Sequence, residues 1–140
     1  MVENKELQEK MIAYRLLEAK LDSLLKQREI IASKVVEIQA TLESIEEIEK
    51  SGESVLFPIG AEAYTLGKVV DKKRLIVEVG SGVALEKNIE EGKEILNKRR
   101  EDVENVLNSI QKDIMDVSSG LEQLGPEIRK LGEELEGKAG

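Results

Sequence analysis

The sequence predicts an α+β fold: a long antiparallel two-helix coiled-coil hairpin with two small β-hairpins at its base. Three observations predict it. Val103, Leu107, Ile110, Ile114, Val117, Leu121, Leu124, Ile128, Leu131 and Leu135 follow an unbroken 4-3-4-3 spacing in which every residue is aliphatic. An apolar repeat sustained every 3.5 residues makes a left-handed coiled-coil seam. A second repeat runs Leu7, Lys10, Tyr14, Leu17, Leu21, Leu24, Arg28, Ile31, Val35, Ile38, Leu42, Ile45, with charged exceptions at Lys10 and Arg28. Between them lies a glycine- and valine-rich centre that neither repeat enters. Two such helices joined by a compact centre close most simply into a long arm rooted in a small β unit. That shape suits holding or assembling other proteins better than catalysis.

Composition supports this. The 140 residues suffice for one domain, 1–140, divided into a first helix over 1–50, a β region over 51–87 and a second helix over 88–140. Charged residues make up 36% of the chain, against about 25% in an average globular protein. Tyr14, Phe57 and Tyr64 are its only aromatics, which fits a thin seam of Leu, Ile and Val rather than a globular core. The net charge is −8 and the basic residues are interleaved with acids, which argues against binding nucleic acid. There is no cysteine and no histidine, so disulfides, thiolate metal sites and the commonest general base are excluded. No cofactor, metal or catalytic residue is expected. Glu3, Lys5 and Glu6 interrupt any early apolar stretch, and no apolar run reaches the about 18 residues of a membrane span. A cytoplasmic protein is expected.

In chain order, the first helix is expected from about Asn4, a plausible N-cap, to Lys50, with Ser51-Gly52 ending it and Gly52 suited to a left-handed position. At about 1.5 Å per residue it spans roughly 70 Å, too long to be enclosed by so small a domain. Val55, Leu56, Phe57 and Ile59 read as a first strand, with Pro58 marking an edge or bulge. Ala63 to Val70 reads as a second strand, with Gly67 as a bulge or a place of close approach. Asp71-Lys72-Lys73-Arg74 is a turn with a solvated basic run. Leu75-Ile76-Val77-Glu78-Val79 is a third strand and Val83 to Glu86 a fourth, separated by Gly80-Ser81-Gly82. Isolated hairpins are marginal in water, so this region calls for partners. Asn88 and Glu91 have the spacing of a capping box for the second helix. Antiparallel zipping sets Leu42 near Leu96, Leu21 near Val117 and Leu7 near Leu131. It brings Tyr14 beside Gly125-Pro126, where a proline inside a helix kinks it, and Tyr14 is expected to cover a bend there.

Other motifs have plain readings. Gly80-Ser81-Gly82 lacks the remainder of a phosphate-binding loop. Asp113 with Asp116, and Glu133 with Glu134, lack the partly dry pocket that tunes carboxylates for acid–base work. Arg28 either fixes the register of the seam or snorkels to solvent, the second being favoured. Leu7, Met11, Ile12, Leu16 and Leu17 form a broader stripe than a seam requires, opposite Leu124, Ile128, Leu131 and Leu135 and next to glycines at 125, 132 and 137. Fraying there would expose apolar surface for binding. Ordinary seam packing is the equal alternative.

The chain resembles an archaeal prefoldin subunit of the α class. Val55-Leu56-Phe57-Pro58-Ile59-Gly60 is similar to that family's LVPIG segment, with Phe57 where valine is usual. Val77-Glu78-Val79-Gly80-Ser81-Gly82-Val83-Ala84, with Glu86-Lys87, is similar to VSVGSGYAVEK. Four candidate strands fit the α class, since the β class has one hairpin. The resemblance implies a holdase acting without ATP in a hexamer of two α and four β subunits, whose hairpins build a platform carrying six coiled-coil arms. Arm tips hold unfolded polypeptide and pass it to a group II chaperonin. Carried onto this chain, the client-binding residues are Leu7, Met11, Ile12, Tyr14, Leu124, Ile128, Leu131 and Leu135. The oligomerisation residues are Val55, Leu56, Phe57, Ile59, Leu75, Ile76, Val77 and Val79. Two other readings remain: a filament-forming γ-type prefoldin, and a purely structural coiled-coil assembly protein.

Overall fold

Two helices and four strands follow one another as α1 (Val2–Lys50), β1 (Val55–Gly60), β2 (Ala63–Gly67), β3 (Arg74–Gly80), β4 (Val83–Asn88) and α2 (Ile89–Ala139). This computed structural model describes residues 2–52 and 54–139, with only the backbone described at 2, 3, 138 and 139. Element types and order agree with the sequence reading. The ends differ. Asn4 lies inside α1, so it is not the N-cap. α2 continues past Leu135, and the glycines at 125, 132 and 137 neither end nor break it. The chain divides into two compact units, Met1–Ala32 with Asn105–Gly140, and Ser33–Glu104.

In the first unit the heptad residues meet as expected. Leu24, Ile110 and Val117 are buried together, and Leu17, Leu21, Ile31, Ile114 and Leu121 pack around them. The segments run antiparallel: Leu17 Cδ1 lies 3.2 Å from where a β-carbon on Gly120 would sit, and Tyr14 Cε2 lies 3.8 Å from that position on Gly125. Lys10 then pairs with Glu127. Each aliphatic contributes about 1.5–3 kcal/mol when fully buried, and less here, since no side chain among the described residues is completely enclosed. Small residues at 120 and 125 let the helices approach. α2 runs unbroken through Pro126, and Tyr14 is half-buried beside Gly125. The expected contact is present, and the helix does not break at it. Arg28 is exposed, in keeping with snorkelling.

The second unit joins the hairpins to the adjoining helix segments. Among the described residues β1 pairs only with β2, and β3 only with β4, both antiparallel. Ala61 and Glu62 have φ of 48° and 63°, and Ser81 and Gly82 have 51° and 75°. Two successive positive φ values give the turn sense that matches strand twist in a two-residue hairpin loop. Gly60 and Gly80, with φ of 112° and 125°, sit where the register shifts on entering each turn. A non-glycine residue in this region costs about 1–2 kcal/mol, so glycine is used at the position of largest φ.

Lys73 and Arg74 are exposed, as the sequence suggested, but the turn is also a junction. Lys72 donates to the carbonyls of Ser51 and Gly52, the latter at 3.1 Å, just past the end of α1. A cation there complements the unpaired carbonyls and the helix dipole. Ser51 adds a cap, its hydroxyl donating to the Ile48 carbonyl at 2.8 Å. Gly52 does not adopt the expected left-handed conformation, because Lys72 and Ser51 satisfy the helix end instead. The Lys73 carbonyl accepts from the Ile89 amide at 3.0 Å, at the start of α2. Arg74 pairs with Asp71 at 3.3 Å and Glu86 at 3.0 Å. Asn88 caps α2 as its spacing suggested: Asn88 Oδ1 accepts from the Glu91 amide at 2.8 Å, and the Glu91 carboxylate accepts from Asn88 Nδ2 at 2.8 Å, in place of the backbone amide of a full capping box.

Candidate functional site

Two surfaces carry the residues singled out by sequence. On the first unit, Leu7, Tyr14, Leu124, Ile128, Leu131 and Leu135 are half-buried along the seam. Met11 and Ile12 are not: they are 38% and 57% exposed. Leu16, one turn after Ile12, is 67% exposed. The structure therefore separates the predicted set into six seam residues, which hold the two helices together, and an outward apolar stripe. Leu16 belongs to that stripe and was absent from the predicted site. The signal for it was an aliphatic pair four residues apart and off the heptad.

Beside the seam runs an open groove of about 340 Å³. Met11, Tyr14 and Ile128 supply its apolar lining, and Arg15, Glu18 and Arg129 its charged rim. Gly125 deepens it, because a side chain there would meet the Tyr14 ring. Heptad reasoning had no use for Arg15 or Arg129, since both flank the seam. Nearby, Lys10 Nζ lies 2.7 Å from Glu127 Oε2. The Glu127 hydrogen bond raises the Lys10 pKa above its usual value, and the Glu127 and Glu6 charges add to this against the partial burial of the ammonium.

On the second unit, strand register sorts the hairpin residues by face. Leu56 pairs with Leu66, and Pro58 with Tyr64, so these four share one face. Leu56, Tyr64 and Leu66 are all well exposed. Val55 and Phe57 lie on the other face and are half-buried. In the second hairpin Ile76 and Val79 are exposed, whereas Val77 is buried. Leu75 is in van der Waals contact with Gly92 of α2, and Arg99 of α2 donates to the Glu78 carbonyl. Of the predicted oligomerisation residues, Leu56, Ile59, Ile76 and Val79 are thus presented outward. Leu75 and Val77 are taken up in the chain's own packing, and Val55 and Phe57 face away from the presented side. Tyr64, Leu66, Val83 and Leu85 join the exposed set; strand pairing, not strand composition, reveals them.

No side-chain cluster among the described residues is arranged to hold a metal ion. None of their charged or polar residues is buried. No helix among them is long and apolar enough to cross a membrane.

The family model described as Prefoldin subunit matches residues 17–134. The chain belongs to the prefoldin family. Its relatives include Prefoldin subunit alpha of Pyrococcus horikoshii, 38% identical over 99 residues that make up 69% of this chain and 67% of that protein. Prefoldin subunit alpha 1 of Thermococcus kodakarensis is 37% identical over 99 residues, covering 69% and 68% of the two chains. These relatives mark an archaeal alpha-class prefoldin. The fold also matches a cryo-EM structure of filamentous prefoldin from Methanocaldococcus jannaschii, with a TM-score of 0.69 over 86% of this chain and 98% of the other at 20% identity. Within the prefoldin frame the two helices, two hairpins and their order are those of a chaperone subunit that assembles with other prefoldin subunits.

Proposed function

We propose that this chain is the alpha-class subunit of a cytoplasmic, ATP-independent holdase that binds unfolded polypeptide on the helix ends of its first unit. Two copies assemble with four beta-class subunits through the exposed hairpin residues, and the loaded assembly delivers its client to a group II chaperonin. The observation that carries this reading is the outward stripe of Met11, Ile12 and Leu16 on helix that needs none of them for its seam. Contiguous apolar surface on a charged helix is a binding surface, and several weak copies in one assembly give avidity for clients without a common sequence.

Aggregation suppression tests it. With the assembled complex and a chemically unfolded client, Ile12→Ser with Leu16→Ser weakens suppression while the mass of the assembly is unchanged. Full suppression by an assembly carrying both changes would remove the client role from this stripe.

A second reading, a γ-type prefoldin filament, is favoured by the fold's likeness to a filamentous prefoldin and by two-stranded sheets whose outer edges are unpaired among the described residues. Light scattering separates them. A small species that converts, with a beta-class partner, to one discrete complex supports the first. Long polydisperse assemblies of this chain alone support the second.

A further inference from the structure

The groove beside Tyr14 differs in charge from the rest of the molecule. The chain carries a net charge of −8, yet the groove rim holds Arg15 and Arg129 against the single carboxylate of Glu18. Among the described residues, neither arginine makes an ion pair or hydrogen bond within the chain, whereas neighbouring Lys10 is committed to Glu127. Both arginines are exposed, and the lining between them is apolar. A planar guanidinium presents parallel N–H donors that match a carboxylate. Two of them beside an apolar trough complement a ligand that is apolar in its middle and anionic at its flanks.

We propose that this groove is an acidic–apolar peptide site: it takes an extended segment of unfolded polypeptide in which a large apolar side chain is flanked by aspartate or glutamate. The inference rests on the holding function proposed above and gives it a sequence preference. The apolar side chain lies on Met11, Tyr14 and Ile128, and the carboxylates meet Arg15 and Arg129. Glu18 adds one carboxylate to the rim, which opposes a ligand carrying dense negative charge such as nucleic acid. The groove is open and the arginines are hydrated, so the preference is modest: each exposed ion pair contributes a small factor, and two together amount to about threefold to tenfold in affinity. Salt erases it, since the Debye length falls to about 4 Å near 0.5 M.

The test uses the full-length chain and three fluorescently labelled peptides that share alternating Leu and Phe but carry Asp, Asn or Lys between them. Fluorescence anisotropy at low salt is expected to rank them Asp, then Asn, then Lys. Arg15→Gln with Arg129→Gln abolishes the advantage of the Asp peptide and leaves Asn binding unchanged. Arg15→Glu with Arg129→Glu shifts the preference to the Lys peptide, a gain that a misfolded variant cannot produce. Equal binding of Asp and Asn peptides to the native chain overturns the inference and leaves the holding function standing. An Asp preference that survives both double variants, or a single-stranded DNA probe that outcompetes the Asp peptide, also overturns it. Failure of every peptide to bind also overturns the inference, and aggregation suppression by the assembled complex then decides the holding function separately.

Discussion

The ring of Phe57 occupies the space that a β-carbon on Gly67 would fill: its Cε2 and Cδ2 atoms lie 2.9 and 3.1 Å from that position. The two residues are diagonal neighbours across the first hairpin, since Val55 faces Gly67 and Phe57 faces Thr65. Phe57 stands where the motif it resembles carries valine, so the larger ring and the missing side chain form a size-matched pair. Aromatic rings rest on glycine across strands because the backbone there offers flat apolar contact. Gly67→Ala is expected to destabilise the chain by about 1–2 kcal/mol through overpacking. In a Phe57→Val background the same change becomes neutral. A double-mutant cycle by urea denaturation measures it, and additive effects of the two changes would contradict the pairing.

A second close approach holds the other hairpin to its helix. A β-carbon on Gly92 would lie 2.5 Å from Leu75 Cδ1. Alanine normally favours a helix interior over glycine by about 1 kcal/mol. At this position the gain is expected to be outweighed by displacement of Leu75, leaving Gly92→Ala about 1 kcal/mol less stable. Shortening the neighbour with Leu75→Val restores stability. A rise in denaturation midpoint for Gly92→Ala alone would show that Leu75 moves aside freely.

Lys72 bridges the loop between hairpins to the carbonyls of Ser51 and Gly52. Lys72→Met removes the cation from the end of α1 and is expected to cost about 1 kcal/mol. Lys72→Arg keeps most of it. Hydrogen exchange localises the effect: amides of the last turn of α1 and of β1 lose protection, and those near Leu24 and Val117 do not. Uniform loss along the chain would assign Lys72 a general role instead.

The Lys10–Glu127 pair predicts an alkaline effect. The Lys10 pKa is raised above 10.5 by its hydrogen bond to Glu127. A cation whose folded pKa lies above its unfolded value adds stability that is fully present below the unfolded value and is lost as pH rises through the folded one. The pair's contribution therefore persists through neutral pH and disappears above about 10.5. An NMR titration of the Lys10 Nζ and Cε resonances is expected to show a midpoint above the ordinary lysine value, moving down in Glu127→Gln. An unmoved midpoint would mean that Glu127 is not the partner in solution.

Much of the fold was readable because it is periodic. The unbroken repeat from Val103 to Leu135 specifies one buried stripe, and a buried stripe on two helices leaves little choice but to pair them. The four strands were visible from Val, Ile and Leu runs cut by Gly60 and Gly80. The functional surfaces were less legible. Composition marks Val77 and Ile76 alike as strand residues, but strand alternation buries the first and presents the second. Likewise, the broad apolar stripe over Leu7, Met11, Ile12, Leu16 and Leu17 was visible in the sequence, but which of these side chains stay exposed beside the seam was not.

The sequence by itself determined that two long helices flank two hairpins, that the helices share an aliphatic seam, and that the family is prefoldin, because repeats, turn residues and motif strings are local properties of the chain. Only the tertiary structure decided that Lys72 reaches back to the carbonyls that end α1. It alone decided that Phe57 rests on Gly67, and that Arg15 and Arg129 line one groove. Each of those joins residues distant in sequence, and their contacts depend on distances and directions that no local pattern encodes.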